Sequence, residues 1–300
     1  MDIRHISTEL QNQIIELYTN QKMKPSDIAK HLGFKHHQPI YTFLHKKGIF
    51  SKYSTGDNFV RTYSIDETFF KCIDSEEKAY ILGFVAADGF VDEVRNSLKI
   101  GLNEQDVDIL EKIKICLKSD HPIKHFVKDK KYNHVSVDLC SKKIVSDLKS
   151  LGLYQGKSLT MTGDIIRKVD PRFIKDFLRG YFDGDGCIFY GRTYKSGTKF
   201  NLTVVGTEDF LRKTFEKYCD TNCKIAKYKS CNMYSWNVAA KAKVDKCLDY
   251  LYKDSIIHLD RKYGLYLKSK QYTKESAHVK PEELLETPRG NQQQIGRAHV

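Results

Sequence analysis

Apolar residues recur at helical spacing near the start of the chain and alternate with polar ones further on. Ser7 and Thr8 stand where they can cap a helix carrying Leu10, Ile14, Ile15 and Leu17 on one face. Lys24-Pro25-Ser26 breaks that run. Ser26 can cap a short helix from Asp27 to Leu32 with Ile28, Ala29 and Leu32 inward, and Gly33 suits the left-handed position that ends it. Pro39 opens a third helix with Ile40, Phe43 and Leu44 inward and His45, Lys46 and Lys47 at its end. No period is visible from about Phe50 to Phe70. Beyond it one pattern of elements occurs twice. Helix starts are marked by Asp74 with Glu77 and by Asp170 with Pro171. Alternating stretches follow at Phe90–Val94 and Ser97–Leu102, then at Cys187–Tyr194 and Lys199–Val205. Amphipathic helices come next, Asp106–Leu117 and Thr207–Tyr218. Two more strands follow in each copy, Ile123–Val127 with His134–Leu139 and Lys224–Tyr228 with Tyr234–Ala239. Each copy closes with a helix, Lys142–Leu151 and Lys241–Tyr252.

The order α-β-β-α-β-β-α, twice over, predicts an α+β fold of antiparallel hairpins built from a duplicated small domain. The domains read from this pattern are an all-α module at 1–50, a linker at 51–70, a first repeat at 71–158, a second at 159–270 and a polar tail at 271–300. The tail, with Pro281, Pro288 and Gly290, reads as disordered. Its last residues, Gln294 to Val300, match what a common sequencing adapter encodes when read through, so the end is taken as an artefact and supplies no functional reading. Helix, break, short helix closed by glycine, then a basic helix is the helix-turn-helix pattern. A three-helix packing unit that binds nothing would read similarly. His36, His37, Gln38, Tyr41 and Thr42 tip the balance toward DNA, because they can hydrogen-bond bases or phosphates.

Charge narrows the partner. The 50 Lys and Arg against 38 Asp and Glu leave a formal charge of +12, which favours a polyanion because basic side chains along a phosphate backbone release condensed counterions. A membrane is not expected, since no apolar run nears the length of a spanning helix. The start, Met1 to His5, has no apolar core after it, so a cytoplasmic, intracellular location and reduced thiols are expected. The eight Cys are scattered. Cys219, Cys223 and Cys231 form the only cluster, without a Cys-x-x-Cys pair, and are read as small buried hydrophobes rather than a zinc site.

The chemistry lies in two matching stretches. Tyr80-Ile81-Leu82-Gly83-Phe84-Val85-Ala86-Ala87-Asp88-Gly89 and Phe177-Leu178-Arg179-Gly180-Tyr181-Phe182-Asp183-Gly184-Asp185-Gly186 each end in Asp-Gly, and the two pairs lie roughly 97 positions apart. Gly83 with Ala87, and Gly180 with Gly184, put small residues one turn apart, the face that lets helix backbones approach closely. A glycine inside a helix costs up to about 1 kcal/mol relative to alanine, so each needs a packing reason. Ile81–Gly89 and Leu178–Gly186 resemble the two LAGLIDADG motifs of single-chain homing endonucleases, and the resemblance covers about Phe69 to Lys268.

That resemblance implies a pseudo-two-fold saddle in which the motif helices pack together and leave Asp88 and Asp185 side by side at their ends. The acids would bind Mg²⁺ (or Mn²⁺) and the enzyme would hydrolyse phosphodiester bonds of double-stranded DNA at a specific site, acting as a monomer. It also implies a basic residue near each acid, for which Lys157 and Lys262 are the candidates. The second motif carries Asp183 two places before its last acid and the first carries Ala86, a departure compatible with packing. Base and phosphate contacts would come from the hairpins: Arg95, Asn96, Lys99, Lys124, His125, Lys128 and His134, then Arg192, Tyr194, Lys195, Lys199, Asn201, Lys227 and Lys229, with Tyr41 from the N-terminal module. Two other activities fit the same resemblance, an RNA-splicing maturase acting on structured intron RNA and a non-cutting DNA-binding regulator. The retained pair of acids favours cleavage over the second of these.

Overall fold

The computed structural model describes residues 7–21, 23–49, 62–128, 132–193, 197–221, 223–229 and 231–271. The chain forms two units, Met1–Tyr63 and Ser64–Val300. In the first, helix α1 (Thr8–Thr19) is capped by Ser7, whose hydroxyl accepts from the Leu10 N–H at 3.3 Å. Helix α2 (Pro25–His31) begins two residues earlier than expected. Ser26 lies inside it, and Lys24 precedes it without a side-chain cap, because Pro25 itself is pre-set for the first helical position. Gly33 has φ +72°, and α3 (Gln38–Lys46) carries Pro39 in its first turn. Ile14, Leu17, Ile28, Ala29, Ile40, Phe43 and Leu44 form one small core, with Leu10, Ile15 and Leu32 packed against it.

The second unit starts earlier than the periodicity suggests. The Ser64 N–H donates to Asp120 at 2.5 Å, the Asp66 N–H donates to Leu117 O at 2.8 Å, and Phe69 and Phe70 are buried in the main core. These residues were expected in a linker; two aromatic side chains are too few to set a period, yet large enough to anchor a segment. The remaining linker residues, 51–61, and the tail from 272 onward lie outside the described residues.

Each repeat then builds a four-stranded antiparallel sheet. Helix α4 (Glu76–Asp88) leads directly into β1 (Gly89–Asp92), β2 (Ser97–Asn103), α5 (Val107–Cys116), β3 (Lys124–Lys128), β4 (Tyr132–Cys140) and α6 (Lys142–Ser150). The second repeat runs α7 (Ile174–Asp185), β5 (Gly186–Thr193), β6 (Gly197–Gly206), α8 (Glu208–Leu211), a π-helical turn (Arg212–Glu216), α9 (Lys217–Cys219), β7 (Ile225–Lys227), β8 (Tyr234–Val238) and α10 (Lys241–Tyr252). The sheet orders match, β1-β2-β4-β3 and β5-β6-β8-β7. The π turn interrupts what was expected as one regular helix. There the Thr214 hydroxyl donates to Phe210 O, the acceptor an ordinary i to i−4 amide bond would use.

Two elements escaped the pattern. A further helix, α11 (Asp260–Gln271), follows α10, and its polar composition hides it. Helix α4 begins at Ser75 rather than Asp74: the Ser75 hydroxyl accepts from the Lys78 N–H, while Asp74 pairs with the Lys78 ammonium at 2.8 Å. The sheets bury alternate residues against their helices. Leu98, Ile100 and Leu102 of β2 are buried, and Lys99, Gly101 and Asn103 face outward. Helix α4 is buried continuously from Ala79 to Ala86, as expected for a helix with partners all round.

Candidate active site

Helices α4 and α7 make the most extensive contact between any two elements of the described structure. Their approach depends on two glycines in mirrored roles. A Cβ on Gly83 would stand 2.0 Å from Phe177 O and 2.9 Å from Tyr181 N. A Cβ on Gly180 would stand 1.9 Å from Tyr80 O and 2.9 Å from Phe84 N. Nothing larger than hydrogen fits at either crossing point. One turn on, a Cβ on Gly184 would be 2.3 Å from that of Ala87 and 3.1 Å from Asp88 Oδ2. All four small residues therefore lie at the crossing, and the carboxylate of Asp88 lies against the residue before Asp185.

Asp88 and Asp185 are the last residues of α4 and α7. Asp185 is exposed and Asp88 half-buried, yet protein atoms crowd both carboxyl groups from the helix side. That crowding raises the proton affinity of both. Asp88 is pushed up to about 7, by burial first and then by the charge of Asp185, while Lys262 and Lys157 pull it back. Asp185 is raised by burial and held down by Lys157, Lys262 and the hydroxyl of Tyr181.

Both candidate lysines are buried, Lys157 at 5% exposure and Lys262 at 3%. Lys157 Nζ donates to Gly89 O at 2.5 Å, and Lys262 Nζ donates to Gly186 O at 2.5 Å. Lys262 also donates to Phe182 O at 2.6 Å and Asp183 O at 2.8 Å. An ammonium has three donors, so Lys262 closes the carbonyl end of α7, where positive charge is favoured. Burial lowers the proton affinity of both amines. Asp185 and then Asp88 sustain the charge of Lys157; for Lys262, Asp183 comes first.

The surroundings of Asp183 and Arg179 were not legible in the sequence. Asp183 is fully enclosed. Its carboxylate accepts from Tyr80 Oη at 2.7 Å, Tyr252 Oη at 2.5 Å and the Leu259 N–H at 2.8 Å. Arg179 is wholly buried, with Asp176 and Glu76 each at 2.7 Å and the carbonyls of Leu251 and Ile257 at 3.0 and 2.9 Å. The signal was a charge in the repeat position that Leu82 fills in the first copy, since a charge in a core needs a partner.

The expected nucleic-acid contacts divide. By register Lys99, Lys124 and His134 share the outward face of the first sheet, and Asn201 lies on that of the second, while the side chains of Lys128, Arg192 and Lys199 lie outside the described residues. Lys124 lies 3.3 Å from Asp138, His134 stacks on Phe126, and His125 pairs with Glu104 at 3.1 Å. Arg95 is exposed in the β1–β2 turn, 3.9 Å from Asp92. Asn96 takes φ 52° there, a turn-forming role. Two residues fall on the other face. His125 pairs in register with the buried Val135, and Lys227 shares its face with Ile225, because alternation is strict and a one-residue offset changes sides. The Lys227 ammonium sits over the Tyr234 ring, 5.8 Å from its centroid. Lys229 is exposed in the β7–β8 turn, and Tyr41 is half-buried on α3 beside His45. Tyr194 and Lys195 lie outside the described residues.

Of the cluster expected to be buried, Cys219 is buried, Cys223 half-buried and Cys231 exposed. Elsewhere Cys247 is buried, but Cys72, Cys140 and Cys187 are exposed. Among the described residues no group of three or more His, Cys, Asp or Glu could hold a metal ion, and no helix is long and apolar enough to cross a membrane. No protein-family profile and no curated relative matches the chain. Solved structures do. I-LtrWI, a LAGLIDADG homing endonuclease bound to target DNA, is 13% identical over 68% of this chain and 93% of its own, with a TM-score of 0.47. I-SmaMI, bound to an uncleaved DNA target in the presence of calcium ions, is 14% identical over 69% and 94%, with a TM-score of 0.47. The LAGLIDADG meganuclease I-AabMI, bound to uncleaved DNA, is 15% identical over 68% and 93%, with a TM-score of 0.45. The solved structures to which this chain is similar are thus LAGLIDADG homing endonucleases.

Proposed function

We propose that the chain is a site-specific endonuclease that hydrolyses both strands of duplex DNA with a divalent cation, Mg²⁺ or Mn²⁺. The observation that carries this reading is the arrangement of Asp88 and Asp185 at the ends of two crossed helices, with a buried lysine behind each. The donor set fits a hard cation: it consists of carboxylate oxygens, and the crowding that lifts Asp88 to about 7 is what a positive ion beside it would relieve. Such a cation supplies Lewis-acid activation of water and stabilisation of a leaving oxygen. The protein's own part is to hold the acids, to keep Lys157 and Lys262 charged beside them, and to present the outward sheet faces to the grooves. Lys157 makes one carbonyl bond and keeps donors for a water or a phosphate oxygen. Lys262, spent on three carbonyls, contributes its charge and holds the end of α7.

Both acids belong to one chain, so a monomer suffices. Residues 1–50 are assigned as a helix-turn-helix module that adds DNA contacts, and Lys99 and Lys124 are the preferred sheet contacts.

The test is incubation with Mg²⁺ and a library of randomised duplexes, followed by sequencing of new ends. Ends that share a sequence on both strands, absent with Asp88→Asn, are expected. A protein that binds a duplex or a folded intron RNA yet makes no ends would sink the reading.

A further inference from the structure

Lys157 follows α6 and Lys262 lies in the first turn of α11, and the chain beside each is tied to the second helix of the repeat that does not carry that lysine. On one side, Arg261, next to Lys262, forms a two-point pair with Asp106 at the start of α5, at 3.0 and 3.1 Å. Asp260 meets Lys112 of α5 at 2.5 Å, and Lys112 also donates to His258 O at 3.1 Å. On the other side, Thr207 at the start of α8 donates its hydroxyl to Met161 O at 2.6 Å. Asp209 of α8 accepts from the Gly163 N–H at 2.9 Å, and Lys213 in the π turn lies 3.3 Å from Asp164. A Cβ on Gly163 would fall 2.4 Å from that of Lys213, so this segment lies directly on the helix. Lys112 and Lys213 hold corresponding places, each four residues after an aspartate it pairs with, Asp108 and Asp209, whereas Asp106 stands one position before α5.

We propose that Asp106 and Asp209 are positioning residues, each acting on the lysine of the other repeat, Asp106 holding Lys262 on Gly186 O and Asp209 holding Lys157 on Gly89 O, with both ammonium groups facing the pair of acids. Charge-assisted, two-point pairs fix direction as well as distance. Asp106 is 8% exposed, so its pair with Arg261 is shielded from water on the aspartate side. A lysine held by four carbon atoms of flexible chain needs its backbone fixed if the ammonium is to stay on target. The arrangement makes each half of the centre depend on the opposite repeat, so neither lysine is set unless the two repeats are docked. The proposal rests on the endonuclease reading only for its effect on cleavage; the placement of the lysines stands apart from it.

The experiment is amine labelling of the full chain with an acylating reagent, read residue by residue by mass spectrometry, alongside strand-resolved cleavage. In the unaltered protein both buried lysines should label slowly. Asp106→Ala should raise labelling of Lys262 several-fold and leave Lys157 unchanged. Asp209→Ala should do the reverse. If an alanine variant does not fold, Asp106→Asn or Asp209→Asn, which keep shape and remove the charge, take its place. In cleavage, Asp106→Ala should share the strand bias of Lys262→Met, and Asp209→Ala that of Lys157→Met, with the affected strand slowed about a hundredfold, as for misplacement near 1 Å. Labelling that rises at both lysines together, or at the lysine of the same repeat, or at neither, overturns the proposal. Crossed labelling in a protein that cuts no duplex would uphold the positioning and reject the endonuclease reading.

Discussion

Gly180 lies so close to Tyr80 that a Cβ on the glycine would stand 1.9 Å from the tyrosine's carbonyl oxygen. Backbone cannot yield as a side-chain tip can, so even Gly180→Ala must separate α4 from α7. Overpacking of this kind costs typically about 1–3 kcal/mol, and moving Asp185 relative to Asp88 by near 1 Å should cost about a hundredfold in cleavage. Gly83→Ala should behave alike, since its Cβ would meet Phe177 O at 2.0 Å. The control is Gly264→Ala in α11, where a Cβ meets nothing within 4 Å. It should gain up to about 1 kcal/mol from helix propensity. Thermal melting of the three variants checks this, and equal melting of Gly180→Ala and the unaltered protein would contradict the crossing.

Asp88→Asn should abolish cleavage of both strands and raise the melting temperature in chelator. The two carboxylates repel each other in a crowded site, and neutralising one removes that cost. At about 2–4 °C per kcal/mol for a unit of this size, the gain should be several degrees. Mg²⁺ should raise the melting temperature of the unaltered protein and leave that of the variant nearly unchanged. Calorimetry with and without the ion reads both effects without any need for activity.

The lysines should differ in stability. Lys262→Met removes a donor from the carbonyls of Asp183 and Gly186 and from that of Phe182, which keeps the Gly186 N–H, whereas Lys157→Met removes one from that of Gly89. Each buried polar group left without a partner costs about 1–3 kcal/mol. Lys262→Met should therefore unfold at distinctly lower denaturant concentration than Lys157→Met. Lys157→Met should stay folded and lose cleavage by roughly 10²–10⁴-fold. A Lys157→Met variant that cuts normally would remove that residue from the chemistry.

A chain beginning at Thr62 should fold and cut. The second unit has its own core, which includes no residue before Ile65. Loss of the N-terminal helices should weaken DNA binding and shorten the recognised sequence. Footprints of both forms on one target in Ca²⁺ provide the check, and identical footprints would show that these helices read no DNA.

The repeat was legible because duplication copies everything at once. Helix starts, alternating strands and Asp-Gly exits recur in the same order, and the glycines inside the motif helices announced a close crossing. Asp88 and Asp185 stood out for the same reason, whereas Lys157 and Lys262 were candidates only through the family resemblance. The pattern could not give what depends on residues far apart in the chain. Asp183 reads as a spare acid until Tyr80, Tyr252 and the Leu259 amide surround it. The 259–262 stretch reads as a basic run until Asp106 and Lys112, some 150 positions earlier, fix it. His125 and Lys227 show the same limit locally, because a polar residue near a hairpin end says nothing about its face until the register is set by pairing. Local order followed from periodicity and steric rules acting on neighbours. The placement of buried charges was decided only by tertiary structure, because each must find an opposite charge or a donor wherever the fold brings one.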